Sequence, residues 1–349
     1  LFRLGLALLT SILLPQVGRA ALSQPTASSL IRLPEVRCVE EDSTCFESTR
    51  AMLESVTDPV DGRFVSPSMK TMASARTSRS QVAVVMFPGL YSDSSQFRVL
   101  AAKLDERGYF VMHVSLPGHW GQAERGSEVR SDDWIEESRR AIKIAHVMAK
   151  KVVVLGHSMG GMLSINAALT PELRVDGLIA MEPAVRVRPE IAWPLCNVKY
   201  FGDSIGDFPR IKKLVTGTEV TEQDKQRSLN MGCEVTMLRS RVLQQHLSKL
   251  ARFGQLWGET VAMTVPATEA VTELKLSRAL GRRLTVPSLF LVNTSDDTVS
   301  AGHIAALTAG IKSDVPHRVV TFDGISHGLI TLSKFELVES NTFEFLEKL

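Results

Sequence analysis

The sequence predicts a doubly wound α/β domain on a mostly parallel sheet, and three features carry that expectation. Short, unbroken apolar runs stand at Val82–Phe87 and Val152–Leu155, the pattern of strands buried on both faces, and a further strand is expected at Val286–Val292. Stretches with helical periodicity separate them, and strands alternating with helices build parallel sheets. The chain of 349 residues is 44% apolar and 22% charged, which excludes disorder, collagen and coiled coil. Forty Lys and Arg against 38 Asp and Glu leave a formal charge of +2. So weak a field does not hold nucleic acid by electrostatics, and the expected partner is a small molecule or a lipid.

Taken from the N-terminus, Leu1 to Ala20 reads as a signal peptide. Arg3 is a basic lead, Leu4–Leu14 an apolar stretch and Gly18-Arg19-Ala20 a small-x-small cleavage site. Pro15, Gln16 and Arg19 end the run short of the ~20 residues a bilayer span needs. A secreted or periplasmic chain starting near Ala21 is therefore expected. Residues 21–80 form an N-terminal extension. Its end, Ser66–Ser80, is rich in Ser, Thr, Met and Arg without clear periodicity and reads as a poorly packed approach to the core. The four cysteines, Cys38, Cys45, Cys196 and Cys233, permit two disulfides in an oxidising compartment, and pairing of neighbours is the expected arrangement. None has metal-site spacing.

The regular pattern begins at Val82. A helix is expected over Gln96–Arg107, a strand over Tyr109–Val114 and a helix from about Asp133, where Trp134, Ser138, Ala141, Ile142, Ala145 and Met148 share one side. The Val152–Leu155 strand, a helix from Met159 to Leu169 stopped by Pro171, and a strand at Gly177–Met181 follow. Residues 81–181 and 286–349 are the expected core, the latter with a helix over Ala301–Ile311, a strand at His317–Phe322 and a terminal helix from Leu332. Between them, residues 182–285 read as a helical cap inserted at the carboxyl edge of the sheet, where such folds bind ligands. Its clearest helix is Thr236–Phe253, with Leu238, Val242, Leu243, Leu247 and Leu250 at helical spacing. That stripe either lines a channel for a fatty chain or buries against the sheet.

The sharpest chemical signal is Gly156-His157-Ser158-Met159-Gly160, between the Val152–Leu155 strand and a helix. A nucleophilic serine on so tight a turn needs glycines two residues to either side, and the helix directs its positive N-terminal dipole at the site. Together with Phe87-Pro88-Gly89-Leu90 and Leu116-Pro117-Gly118-His119, this segment resembles the α/β-hydrolase superfamily, most of all its esterase and monoglyceride-lipase-like members. The likeness runs from about Val82 to the C-terminus.

That resemblance implies a serine hydrolase acting on carboxylic esters through a triad in the order serine, acid, histidine. Ser158 would be the nucleophile. His327, in Gly324-Ile325-Ser326-His327-Gly328 after the last strand, would be the base; His303 and His317 compete less well by position. The acid falls in Asn293-Thr294-Ser295-Asp296-Asp297-Thr298-Val299, and family spacing selects Asp296, with Asp297 one residue away and Glu182, after the Gly177–Met181 strand, as alternatives. The oxyanion donors would be the amides of Met159 and Leu90. Tyr91, Trp120 and His157 are candidate substrate contacts. No metal or organic cofactor is implied, and contact with lipid surfaces is compatible with the reading. A serine at the elbow, in place of aspartate, argues against dehalogenase chemistry. Acyl transfer, thioester or amide cleavage on the same triad, and a non-catalytic ligand-binding homologue, remain open.

Overall fold

A computed structural model describes residues 32–36, 42–60, 71–92, 96–119, 128–188, 230–247, 266–328 and 330–349. The signal-peptide segment, Cys38, Trp120, Cys196 and Leu250 lie outside them.

The apolar runs become the central strands. β3 (Ser80–Phe87), β4 (Phe110–His113), β5 (Ala149–His157), β6 (Gly177–Met181), β7 (Ser288–Asn293) and β8 (His317–Phe322) pair in parallel. Two short strands, β1 (Asp58–Pro59) and β2 (Met72–Ala73), extend one edge. The full order is β1-β2-β4-β3-β5-β6-β7-β8. β2 runs antiparallel to β4, with Met72 opposite His113. The described part of the segment expected to approach the core loosely, residues 71–80, is thus built into it: Met72 and Ala73 are buried, and the Ser74 hydroxyl accepts the Val111 N–H at 2.9 Å. Two-residue strands leave no periodicity to read, which is why composition misled here.

Alternation along β3 sorts the core into two layers. Ala83, Val85 and Phe87 face one cluster with Trp134, Ile142, Met162 and Leu163, while Val84 and Met86 face a second with Phe97, Leu100, Leu104 and Phe343. The first layer is covered by α1 (Ser43–Val56), α3 (Ser131–Met148) and α4 (Met159–Ala168), the second by α2 (Arg98–Glu106) and the terminal helix. Residues 230–247 are also helical (α5). Leu238, Val242, Leu243 and Leu247 of α5 are buried in the first cluster, so this part of the stripe packs as core and does not line a channel. Glu234 of α5 accepts the Ser131 N–H at 2.7 Å and so satisfies an open amide at the start of α3. α6 (Pro266–Gly281) packs along α7 (Ala301–Thr308), and the chain closes with α8 (Ile330–Ser333) and α9 (Phe335–Glu347). Cys45 and Cys233 are both disulfide-bonded.

The N-terminal segment is clamped to α3. Glu137 accepts the Leu33 N–H at 2.7 Å, Arg140 donates to the Leu33 carbonyl at 2.9 Å, and Arg32 pairs with Asp133. Glu137 is 1% exposed. Burial pushes its carboxyl up from 4.5 to about 7, against the opposing pull of the Leu33 amide, Arg140 and Arg32. A carboxyl whose folded pKa is raised stabilises the fold fully below 4.5 and loses that contribution as pH climbs through about 7. Its contribution should therefore decline by about 3 kcal/mol across that window. Denaturant unfolding of the wild type and of Glu137→Gln at matched pH values should show the glutamine variant gaining relative stability on the alkaline side; parallel pH curves would contradict it.

Candidate active site

The site is built where β5 gives way to α4. Ser158 sits between them with φ 53° and ψ −115°, a conformation that costs a non-glycine residue about 1–3 kcal/mol. The surroundings hold it there: its N–H donates to the Met181 carbonyl at 2.9 Å, and its own carbonyl accepts from Ala184 at 2.8 Å and from Met162 at 3.1 Å. The motif glycines are required by contact. A Cβ on Gly156 would stand 2.1 Å from the Gly160 carbonyl oxygen, and one on Gly160 would stand 2.0 Å from that of Phe87. Neither neighbour is a side chain that can turn away. Ser158 is 8% exposed at the top of the sheet.

His327, on the loop after β8, bridges to this hydroxyl. Its Nε2 lies 2.8 Å from Ser158 Oγ and its Nδ1 lies 2.7 Å from Asp296 Oδ2. A carboxylate can only accept, so Nδ1 carries the proton and Nε2 is left to receive one from the serine. Asp296 is 1% exposed, and its second oxygen accepts the amides of Thr298 and Val299, each at 2.8 Å. Burial works to raise its pKa, but the His327 hydrogen bond and charge and these two amides outweigh it and hold the carboxyl below its usual range. Asp297 plays another part: its Oδ1 accepts the His327 backbone N–H at 3.3 Å and the Thr298 hydroxyl at 3.0 Å. The neighbouring loops are stapled by Asn293, fully buried, whose amide donates to the Ile325 carbonyl at 2.9 Å. Arg188 donates to the Asp296 carbonyl at 2.6 Å.

The loop after β3 covers the other side. Ser92 N–H donates to the Gly89 carbonyl at 3.1 Å, closing a turn with Tyr91 at φ 63°. A Cβ on Gly89 would lie 3.5 Å from Ser158 Cβ, so the chain leading into Leu90 passes directly beside the serine. Met159, the first residue of α4, brings the second backbone amide. Tyr91 is 37% exposed.

His157, expected as a candidate substrate contact, is turned inward. It is 2% exposed, with Nδ1 3.0 Å from Gln96 Nε2 and Nε2 2.9 Å from Glu182 Oε2, so both ring nitrogens are consumed inside the protein. Glu182, at the end of β6, is fully buried with φ 42° and lies 3.8 Å from His327 Nδ1. It pairs with His157 first, whereas Asp296 meets His327. Sequence reading passed over Gln96, which carries no motif signal, and saw Glu182 only as a substitute acid. The ligand atoms of His157, Glu182 and His327 lie within 4.8 Å of one another, as in a metal site. Each is already engaged, however, His157 with Glu182 and His327 with Asp296 and Ser158.

The remaining histidines are engaged elsewhere. His113 lies fully buried with its ring 5.3 Å from Phe97, His146 donates to the Leu173 carbonyl at 2.8 Å, and His246 meets Asn166 at 2.8 Å. His303 turns to Ser300 at 2.9 Å and His317 to the Val315 carbonyl at 2.9 Å. His119 stands edge-on to Trp134, and burial drives its pKa down to about 4.

Comparison with known proteins agrees with this architecture. One of the metagenome-derived lipolytic enzymes LipS and LipT aligns with a TM-score of 0.56 at 19% identity, covering 81% of this chain and 99% of its own. The monoacylglycerol lipase of Paleococcus ferrophilus aligns at 0.51 and 17% identity, over 77% and 95%. The enol-lactonase of Burkholderia xenovorans aligns at 0.53 and 14%, over 79% and 95%. At these identities the likeness is one of fold. No curated protein matches the sequence closely enough to count as a relative. The Hydrolase_4 family model, described as serine aminopeptidase, S33, matches residues 78–331, well over half of the sequence, so the chain belongs to that family of hydrolases and has the α/β-hydrolase fold.

Proposed function

We propose that the protein is a serine hydrolase of carboxylic esters, with Ser158 as nucleophile, His327 as general base and Asp296 as the orienting acid. The observation that carries the reading is the unbroken contact from Asp296 Oδ2 through the His327 ring to Ser158 Oγ, at 2.7 and 2.8 Å. A serine hydroxyl is too weakly acidic to attack an acyl carbon unaided, and an imidazole at hydrogen-bond distance removes its proton as the bond forms. The imidazolium so created is held by Asp296, whose low pKa keeps it a carboxylate. Charge arriving on the carbonyl oxygen would be met by the amides of Met159 and Leu90, with the N-terminal end of α4 behind the first. His327 then protonates the leaving alcohol, and a water deprotonated by the same ring releases the acid from Ser158.

An ester is favoured as substrate because an alkoxide is a much better leaving group than an amide anion, so it asks less of the proton that His327 supplies. The lipolytic enzymes and the monoacylglycerol lipase that share the fold act on substrates of this class. The family description names an aminopeptidase, so amide cleavage is the reading to set against it. A secreted or periplasmic location belongs to the same proposal and is supported by the disulfide-bonded state of Cys45 and Cys233.

Fluorophosphonate labelling should modify Ser158, and nitrophenyl esters should be turned over faster than aminoacyl nitroanilides. Ser158→Ala should abolish both labelling and turnover while leaving the unfolding transition in place; residual labelling at another serine would refute the assignment. The two aspartates should separate clearly. Asp296→Asn should lower kcat by roughly 10³-fold or more, since an amide there stabilises the wrong tautomer. Asp297→Asn, which meets the His327 backbone and the Thr298 hydroxyl but not the His327 ring, should cost less than about tenfold by loss of weak hydrogen bonds. Equal losses would overturn the acid assignment.

A further inference from the structure

Behind Ser158 a second polar chain runs parallel to the first, and the ester reading makes no use of it. The Gly89 N–H donates to Gln96 Oε1 at 2.8 Å. Gln96 Nε2 lies 3.0 Å from His157 Nδ1, His157 Nε2 lies 2.9 Å from Glu182 Oε2, and the same carboxylate oxygen accepts the Gly328 N–H at 3.3 Å. The chain begins at the loop that carries Leu90 and ends one residue beyond His327. It therefore connects the two loops that must stay in register with Ser158.

Its direction is fixed by chemistry. A backbone N–H can only donate, so the Gln96 oxygen faces Gly89 and its NH₂ faces His157. His157 Nδ1 must then accept, and the remaining ring proton sits on Nε2 and goes to Glu182. Every donor points toward the carboxylate. A second proton on His157 would need the Gln96 amide to reverse, setting its NH₂ against the Gly89 N–H.

The surroundings oppose that proton as well. His157 is buried, which holds its pKa below the ordinary histidine value despite the hydrogen bond to Glu182; the facing His327 lowers it further, while Glu182 and Asp296 act to raise it. The rings of His157 and His327 are 5.1 Å apart between centroids. Contact strengthens the link, because a Cβ on Gly89 would come within 2.7 Å of His157 Nδ1. The donor loop thus lies against the ring. Glu182 Oε1 has no hydrogen-bond partner among the described residues, so the carboxylate is committed to this chain through Oε2 alone.

We propose that Gln96, His157 and Glu182 form a positioning relay that sets the Gly89–Leu90 donor loop in register with the His327 loop, with His157 acting as a neutral Nε2–H link and not as a base. The role rests on the reading of Ser158 as an ester-cleaving nucleophile, because register matters only if the donor loop and His327 meet one reacting carbonyl. All three are positioning residues. Their effect should fall on the chemical step, since the oxyanion is stabilised only after attack has begun.

The test combines kinetics with a measurement on the resting protein. On a nitrophenyl ester, Gln96→Met should lower kcat by roughly 10–100-fold with KM within about twofold, as for a misplaced oxyanion donor. His157→Leu should fall as far. His157→Gln keeps one acceptor and one donor and should recover most of the loss. In wild-type protein labelled with ¹⁵N-histidine, NMR should show His157 as the neutral Nε2–H tautomer throughout about pH 5 to 8, where an ordinary histidine titrates. Wild-type kcat in Gln96→Met, a folded His157→Gln no better than His157→Leu, or a protonated or Nδ1–H His157 would each overturn the relay. The ester reading fails separately, if the wild type turns over no ester, and the NMR result judges the relay's protonation state either way.

Discussion

The close approach of α4 to the sheet is the constraint on which everything else rests. Where β5 turns into that helix, the Gly160 Cα comes so near the Phe87 carbonyl that no side chain fits. The backbone must reverse within one residue, and that residue is Ser158, held at positive φ by a hydrogen bond to the Met181 carbonyl of β6 and one from the Ala184 N–H. The apolar core stabilises this strained arrangement. Val85, Phe87, Val152, Val154, Met159, Met162 and Leu163 are all buried around it. Strain of about 1–3 kcal/mol is small beside the burial of several such side chains at about 1.5–3 kcal/mol each.

Once the hydroxyl is fixed, parallel pairing brings the remaining groups to it. β5, β6 and β7 end side by side, so His157, Glu182 and the Asp296 loop arrive at one edge without any of them being close in sequence. Two carboxylates and two imidazoles then share a region that is almost dry. They avoid mutual repulsion by pairing off, Asp296 with His327 and Glu182 with His157. Each pair has its own backbone support: the Thr298 and Val299 amides for Asp296, the Gly328 amide for Glu182. The result is one ring turned to the serine and one turned inward.

Much of this was legible in the sequence because the strong signals are local. β6 and β8 fall at the residues expected for them, and β3 and α4 lie within two residues of expectation. The elbow glycines, Ser158, Asp296 and His327 could be placed because each sits at the end of a recognisable strand. What escaped had no local signature. β1 and β2 are two residues long; β2 owes its form to pairing with β4, and β1 to pairing with β2. α1 has only four buried positions, Cys45, Phe46, Thr49 and Leu53, on an otherwise polar helix. Gln96 is an ordinary loop residue until the fold sets it against Gly89. His157 was taken for a substrate contact because its place beside Ser158 is visible in the sequence, whereas the carboxylate that turns it inward comes 25 residues later.

The tie between the N-terminal segment and α3 bears on the order in which the molecule assembles. Leu33 meets Glu137 across 104 residues, and Ser74 meets Val111 across 37. Contacts so distant along the chain carry a loop-closure cost that local pairing does not repay. Neither has a surface to dock on until β4 and α3 exist. The early part of the chain is accordingly a clasp whose seat is made by elements that come later in the sequence.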